Sequence, residues 1–142
     1  MAPTRDEFEE AVASFWDVRQ SQALSSRLAG VVGAGNAGSV RGAGHFHAVA
    51  AVVARFFMDA GYPAESVRVT GRQGLALPGY FRPQKLWDVV VAHRGTLVAA
   101  LELKALCGPS FGNNYNNRVE EALGSAIDVH HAQLAKLYPG EK

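Results

Sequence analysis

Three ionisable residues stand at the ends of two apolar segments, where charges are least expected. Asp88 opens the stretch DVVVAHRGTLVAALELK, and Glu102 and Lys104 close it. Charged side chains in apolar strands are costly to bury unless they pair or bind a metal ion. Two carboxylates and one backbone carbonyl, that of Glu102 or Leu103, form a hard oxygen-ligand set suited to Mg²⁺, which retains some waters for a substrate. A lysine beside such a metal can help to deprotonate or orient a water for in-line attack on phosphorus. The residue types therefore indicate phosphoester hydrolysis.

The elements that must position these residues are the two strands of a predicted β-hairpin. Apolar runs at 89–92 and 97–101 flank a short break that contains Gly95, a pattern typical of a hairpin. A three-residue loop would pair residues whose numbers sum to an even value and would place Asp88 on the face of Glu102. A two-residue loop would place it on the far face. The alternative interpretation is an exposed strand end with a Glu–Lys pair, since the spacing E-x-K alone is common.

Length and composition limit the remaining classes. With 142 residues, 48% hydrophobic and 19% charged, the chain is expected to form one domain with a core. No apolar run approaches the length of a membrane span, and Thr4–Glu7 is polar where a signal peptide would become apolar. Cys107 is the only cysteine, which excludes an intrachain disulfide and a cysteine-rich zinc module. These features predict a cytoplasmic protein without a membrane partner.

The positive charge is concentrated around the hairpin. The net charge of the whole chain is only +1, but residues 64–118 hold seven bases and three acids. Contact with phosphate would require such a basic segment, although chance clustering of solvated arginines gives the same count.

Helices are predicted before and after the hairpin. Thr4 and Glu7 form a capping box for the first helix, and an apolar stripe predicts the second helix. Asn117 is predicted to cap the last helix, with an apolar face that includes Val119, Leu123, Ile127 and Leu134. The corresponding spans are helices from Thr4 to about residue 29, 45–60 and 118–137, a strand at 67–70, and loops at 71–84 and 108–117.

Residues 30–44 contain six glycines and match GxGxxG formally. A dinucleotide site would need a buried strand before this motif and a helix that begins within it. Here a helix precedes the motif, so no nucleotide cofactor is predicted, and a nicotinamide enzyme is the weakest interpretation. The segment is predicted to be a mobile loop.

The stretch ELKALCGPSFGNNYNNRVEEALGSAID at 102–128 resembles the XhoI-type type II restriction endonucleases. The segments VRGAGHF at 40–46 and ARFFMDAGYP at 54–63 are similar to the same family. The resemblance implies an α/β fold of the PD-(D/E)xK class, with a mixed sheet flanked by helices. It also implies Mg²⁺-dependent hydrolysis of double-stranded DNA at a palindromic site, CTCGAG for this family, and a two-fold site predicts a symmetric homodimer.

Matched by motif, Asp88 and Glu102 are expected to be the metal ligands, and Lys104 the catalytic lysine. Asparagine and arginine are residue types that read base edges in the major groove. The family-specific segment is expected to contact DNA through Ser110, Asn113, Asn114, Asn116, Asn117 and Arg118.

The resemblance fades after Asp128. The expectation is therefore a single partial endonuclease domain over residues 1–142, truncated and with its sheet incomplete at the C-terminus. Such a chain is expected to cut DNA weakly and without specificity at most. The rival interpretations are a structure-selective or repair nuclease of the same fold, and a catalytically inactive remnant that binds DNA.

Overall fold

The computed structural model describes residues 2–28, 46–69, 74–105 and 111–138. Residues 1–64 and 65–142 form two compact units. The prediction of a single domain is not tested by this division. Within the described ranges, none of the helices combines the length and the apolar character that crossing a bilayer demands. The predicted loop at 30–44 and the strand residue Thr70 lie outside the described residues.

The described residues of the first unit form two α-helices, α1 (Arg5–Leu28) and α2 (His47–Asp59). The predicted capping box at the start of α1 is confirmed. The backbone N–H of Thr4 donates to Glu7 Oε2 at 2.8 Å, and the backbone N–H of Glu7 donates to Thr4 Oγ1 at 3.3 Å. Both orphan donors of the helix start are thereby satisfied. At the other end of the unit, α2 gives way to Gly61, whose φ of +99° favours glycine.

One ion pair and one aromatic contact join the two helices. The ring centroids of Phe15 on α1 and Phe46, the residue before α2, are 5.1 Å apart. Arg55 donates to the carboxylate of Glu7, and this hydrogen bond lowers the pKa of Glu7 to about 2. The interface therefore combines an apolar contact with a charge-assisted hydrogen bond.

The described residues of the second unit form five strands and the third helix. Strands β1 (Val67–Arg68), β4 (Val89–His93) and β5 (Thr96–Leu101) form an antiparallel sheet in the order β1-β4-β5. Strands β2 (Ala76–Leu77) and β3 (Lys85–Leu86) form a separate small hairpin, and β2 lies within the segment 71–84 that was predicted to be a loop. That prediction was wrong at β2, because two-residue strands are too short to show periodicity. The α/β class is confirmed.

The predicted hairpin is present, but its connection differs from the expectation. Only Arg94 and Gly95 join β4 to β5, with φ angles of 49° and 81°, as a tight two-residue turn of the primed type requires. Such a turn alone gives the odd register, His93 with Thr96. A bulge at Val98 adds one residue to β5, so that Val89 pairs with Leu101 and the even register returns. The bulge therefore produces the even register that the sequence analysis attributed to a three-residue loop.

The third helix, α3 (Phe111–Leu134), begins earlier than predicted. The asparagine-rich segment is its first two turns and not a loop, so Asn117 is not its N-cap. Asparagine has a low helix propensity, but Phe111, Tyr115 and Val119 already recur at a spacing of four. The helix ends before Lys136, which has a φ of 57°.

The apolar face predicted for α3 is not its buried face. The large apolar residues predicted to share that face are exposed, whereas Ser125, Asp128 and Ala132 are buried. Periodicity identifies an apolar face but not the direction in which the helix presents it. The exposed residues are Val119, Leu123, Ile127 and Leu134.

Asp128 fixes the orientation of the loop that connects β2 to β3. Its side chain is 2% exposed, and Oδ1 accepts the backbone N–H groups of Tyr80 at 2.9 Å and Phe81 at 2.7 Å. Oδ2 pairs with Arg82 Nε at 3.1 Å. A methyl group on Gly79 would meet Asp128 Oδ2 at 2.6 Å, so this close approach requires glycine.

The core of the second unit includes Val90 of β4, and Val129 of α3 packs against it. Val89, Val90 and Val91 are all fully buried, which shows that β4 is covered on both faces. Trp87 and Leu75 pack with Val90 at the centre of this core. Burial on both faces thus explains the continuous apolar run at 89–91.

Replacement of Gly95 by alanine should destabilise the protein by about 1 kcal/mol, because the left-handed conformation penalises a Cβ even where space is free. The matched change Gly124→Ala, on the exposed surface of α3, also meets open space and should stabilise the helix by about 1 kcal/mol. Urea unfolding measures both. Equal effects of the two changes would contradict the turn geometry.

Asp128→Asn should lower the free energy of unfolding by about 2–3 kcal/mol, since an amide N–H₂ would face Arg82 and the buried pair would be broken. Glu9→Gln, at an exposed ion pair on α1, is the control and should change stability by less than about 0.5 kcal/mol. Thermal unfolding followed by circular dichroism distinguishes them. A loss no larger than that of the control would show that the buried carboxylate is not an anchor.

Candidate active site

Glu102 lies at the centre of a chain of charges just beyond the end of β5. Its Oε1 pairs with Lys85 Nζ at 2.9 Å and with Lys104 Nζ at 2.6 Å. Lys104 Nζ also pairs with Glu121 Oε2 at 3.1 Å, and Glu121 pairs in turn with Arg118 at 3.0 Å. The network therefore joins the sheet to the first turns of α3 and contains three cations and two anions.

These contacts set the charge states of the site. Burial alone would raise the pKa of Glu102, but the ammonium groups of Lys104 and Lys85 outweigh burial and lower it below its usual value. Burial alone would lower the pKa of Lys104, but Glu102 and Glu121 raise it. Near neutral pH, Glu102 is therefore a carboxylate and Lys104 an ammonium. The stability that Glu102 contributes is present above pH 4.5 and is lost as the pH falls through its lowered folded pKa.

Asp88 is held against the backbone of the same strand ends. Its backbone N–H donates to Leu101 O at 3.0 Å, and its Oδ2 accepts the backbone N–H of Leu103 at 2.7 Å. Leu103 lies between Glu102 and Lys104 in the chain. The hairpin thus gathers the three predicted site residues at one end, with Glu102 and Lys104 in direct contact and Asp88 tied to the residue between them.

An open depression surrounds this group. It has a volume of about 570 Å³, and its lining mixes basic, acidic and small polar residues. Ser125 Oγ faces Glu102 Oε2 at 3.5 Å across it. The lining residues are Arg82, Lys85, Glu102, Lys104, Glu120, Glu121, Gly124 and Ser125. Because the depression is open to solvent, the charged groups that line it can contact a charged polymer at the protein surface.

The residues predicted to contact DNA lie on or before the start of α3. Ser110 lies outside the described residues, and the side chains of Asn113 and Asn114 are likewise not described, although their backbones are helical. Asn116 and Asn117 are exposed, and Arg118 is half-buried against Glu121. The structure thus links Arg118 to Lys104 through one shared carboxylate.

Sequence reasoning missed Lys85, Ser125 and Glu121 as members of this group. Lys85 belongs to β3, a strand that the sequence analysis did not predict, and its Nζ also lies 5.1 Å from the centroid of the Trp87 ring. The sequence signal that could have identified Lys85 is its position, a charged residue three places before Asp88. Ser125 and Glu121 could not be assigned, because their place depends on which face of α3 turns toward the sheet.

Comparison with known families identifies the family to which the chain is similar. The family described as "Restriction endonuclease XhoI" matches residues 26–138. No solved structure matches the chain.

Three curated relatives are type II restriction enzymes. "Type II restriction enzyme XhoI" of Xanthomonas vasicola is 47% identical over 118 residues, which cover 83% of this chain and 47% of the relative. "Type II restriction enzyme BstVI" of Geobacillus stearothermophilus is 41% identical over 113 residues, 76% of this chain and 50% of the relative. "Type II restriction enzyme AbrI" of Azospirillum brasilense is 66% identical over 55 residues, 39% of this chain and 25% of the relative.

The chain spans about half the length of the relatives from Xanthomonas and Geobacillus. The family match covers the strand end that holds Asp88, Glu102 and Lys104 and the whole of α3. The resemblance noted at residues 102–128 is thereby confirmed, and the chain belongs to the XhoI restriction endonuclease family.

Proposed function

We propose that this chain supplies the catalytic half of a site-specific endonuclease that hydrolyses double-stranded DNA with the help of Mg²⁺. The observation that carries the proposal is the direct contact of Glu102 with Lys104, at the strand end where Asp88 is also held, in a chain that belongs to a family of restriction endonucleases. The palindrome CTCGAG is the proposed site.

The donor set fits a divalent cation. Asp88 and Glu102 supply carboxylate oxygens, which are ligands that Mg²⁺ prefers. The hydrogen bond from Leu103 engages only Oδ2 of Asp88, and a carboxylate has further lone pairs with which to bind a cation. These two residues would hold the metal, which supplies polarisation of the phosphoryl oxygen and of the attacking water when bound.

The remaining chemistry belongs to the side chains. Lys104 is an ammonium near neutral pH because Glu102 and Glu121 raise its pKa. In that state it cannot accept a proton from water. We therefore assign it to donating hydrogen bonds, which orient the attacking water and offset the negative charge that develops on the phosphate. The ion pair with Glu121 holds the ammonium of Lys104 at the wall of the depression.

The first turns of α3 are proposed to read the bases. Asn116, Asn117 and Arg118 are presented from one helix start, and asparagine and arginine can each bond two atoms of one base edge. Arg118 pairs with Glu121 in this structure. Reading a base would require Arg118 to exchange that partner, and Glu121 would then remain with Lys104 alone. We also propose that a symmetric homodimer reads the palindrome.

Asp88→Asn, Glu102→Gln and Lys104→Ala should each lower cleavage by about 1,000-fold or more, because each removes a group that acts on the transition state. They should still bind DNA in Ca²⁺. The measurement is cleavage of a plasmid with one CTCGAG site, by a protein that carries this chain within the length of its relatives. Glu65→Gln removes an exposed carboxylate elsewhere and is the control. Full activity in any one of the three variants would sink the assignment.

Arg118→Ala should cost about 1–3 kcal/mol of binding to the preferred site and relax discrimination there. If Arg72 contacts a phosphate, Arg72→Ala should instead weaken binding to all sequences alike and flatten the salt dependence. Filter binding to specific and random duplexes at several salt concentrations separates the two outcomes. Equal losses on both duplexes for Arg118→Ala would reassign that residue to the phosphate backbone or to packing.

A further inference from the structure

Two ammonium groups share one oxygen in the candidate active site. Lys85 Nζ and Lys104 Nζ lie 2.9 Å and 2.6 Å from Glu102 Oε1. The side chains of Lys85 and Glu102 are only 15% and 18% exposed, so solvent screens this contact weakly. One carboxylate neutralises one ammonium. The second ammonium on the same oxygen is therefore not required to neutralise Glu102.

The two lysines differ in what else they contact. Lys104 also pairs with Glu121 and keeps a counter-ion if it leaves Glu102. Lys85 faces the ring of Trp87, 5.1 Å from Nζ to the centroid. An aromatic face holds an ammonium through its quadrupole, so Lys85 too has a second resting place within reach.

A divalent cation on Glu102 would compete with both ammonium groups. Two cations within contact distance of one oxygen repel each other even in water, and more strongly where solvent is scarce. Lys104 has Glu121 to hold it aside. Lys85 would therefore leave Glu102 with the Trp87 ring, and not a second carboxylate, as its remaining contact.

We propose that Lys85 is the exchangeable counter-ion of the metal site: its ammonium neutralises Glu102 in the metal-free protein and leaves Glu102 when a divalent cation binds. This assignment rests on the proposed function, because it takes Glu102 as a metal ligand. Lys85 is a positioning residue and acts on the reaction through Glu102.

The assignment has a consequence for DNA binding. Without metal, an unneutralised carboxylate would repel the scissile phosphate. Lys85 removes that repulsion, so the metal-free protein can hold DNA before the cation arrives. Once the cation occupies Glu102, Lys85 is no longer needed for neutralisation, and DNA binding becomes independent of it.

Metal binding to the 142-residue chain tests the proposal directly. Lys85→Met retains an apolar side chain beside Trp87 and should bind Ca²⁺ at least about fivefold more tightly than the wild type, as measured by titration calorimetry without DNA. Lys85→Arg should bind Ca²⁺ more weakly than the wild type, because the planar guanidinium bonds a carboxylate through two N–H groups. Opposite effects of the two substitutions are not expected of a residue that only supports packing.

Arg94→Met is the matched control, since it removes one charge from the exposed turn at the opposite end of the same hairpin. It should leave Ca²⁺ affinity within about twofold of the wild type. If Arg94→Met tightens binding as much as Lys85→Met, the effect is one of net charge and the proposal fails. Unchanged or weaker Ca²⁺ binding by Lys85→Met overturns it as well.

Two further readouts complete the test. Side-chain NMR of the lysine ammonium groups should show the Lys85 signal changing as Ca²⁺ saturates the wild type. Lys85→Met should bind a duplex several-fold more weakly than the wild type in EDTA and equally well in Ca²⁺. If the wild type binds neither Ca²⁺ nor DNA, the proposed function fails. If the wild type binds both, and Lys85→Met matches it under both conditions, only the role of Lys85 fails.

Discussion

The pairing of β4 with β5 is the constraint on which the rest of the candidate site depends. Positions 88 and 102 are separated by 13 residues in sequence, yet the pair Val89–Leu101 places them at the same strand end. The register is not the one that the two-residue turn would give alone. The bulge at Val98 resets it, which is a common use of bulges beside functional sites. Val89, Val90 and Val91 on β4 are fully buried, so the strand that sets this register is anchored in the core.

Around that strand end, the second unit uses carboxylates for two different tasks. Asp128 is deeply buried and satisfied by two backbone N–H groups and Arg82, so its charge fixes a loop and is not available for chemistry. Glu102 is less buried, and two lysine ammonium groups balance its charge. A metal ion can compete with such ammonium groups for the carboxylate. The same residue type thus serves as an anchor where backbone groups surround it, and as a candidate ligand where side chains do.

The charge network also connects the segment proposed to read DNA with the lysine proposed to act in cleavage. Arg118 stands in the segment proposed to read DNA, and only Glu121 separates it from Lys104. A change of partner at Arg118 alters the charge that Lys104 faces without any movement of the sheet. Coupling of this kind needs only two ion pairs that share one carboxylate, and both lie within α3 and the adjoining strand end.

The sequence by itself determined the first helix with its capping box, the second helix, the hairpin, the residue types of the candidate site and the family resemblance at 102–128. Each of these depends on local patterns, such as the box formed by Thr4 and Glu7 or the alternation of apolar and charged residues near Lys104. Only the tertiary structure decided the bulge at Val98, the helical state of the asparagine-rich segment and the contacts of Lys85 and Asp128. A bulge changes which residues of two strands pair, but it leaves no mark in the amino-acid composition. Periodicity identifies an apolar face of α3, but it does not show which face contacts the sheet. Ion pairs between residues 17 positions apart, such as Lys85 with Glu102, follow from the fold and have no local signature.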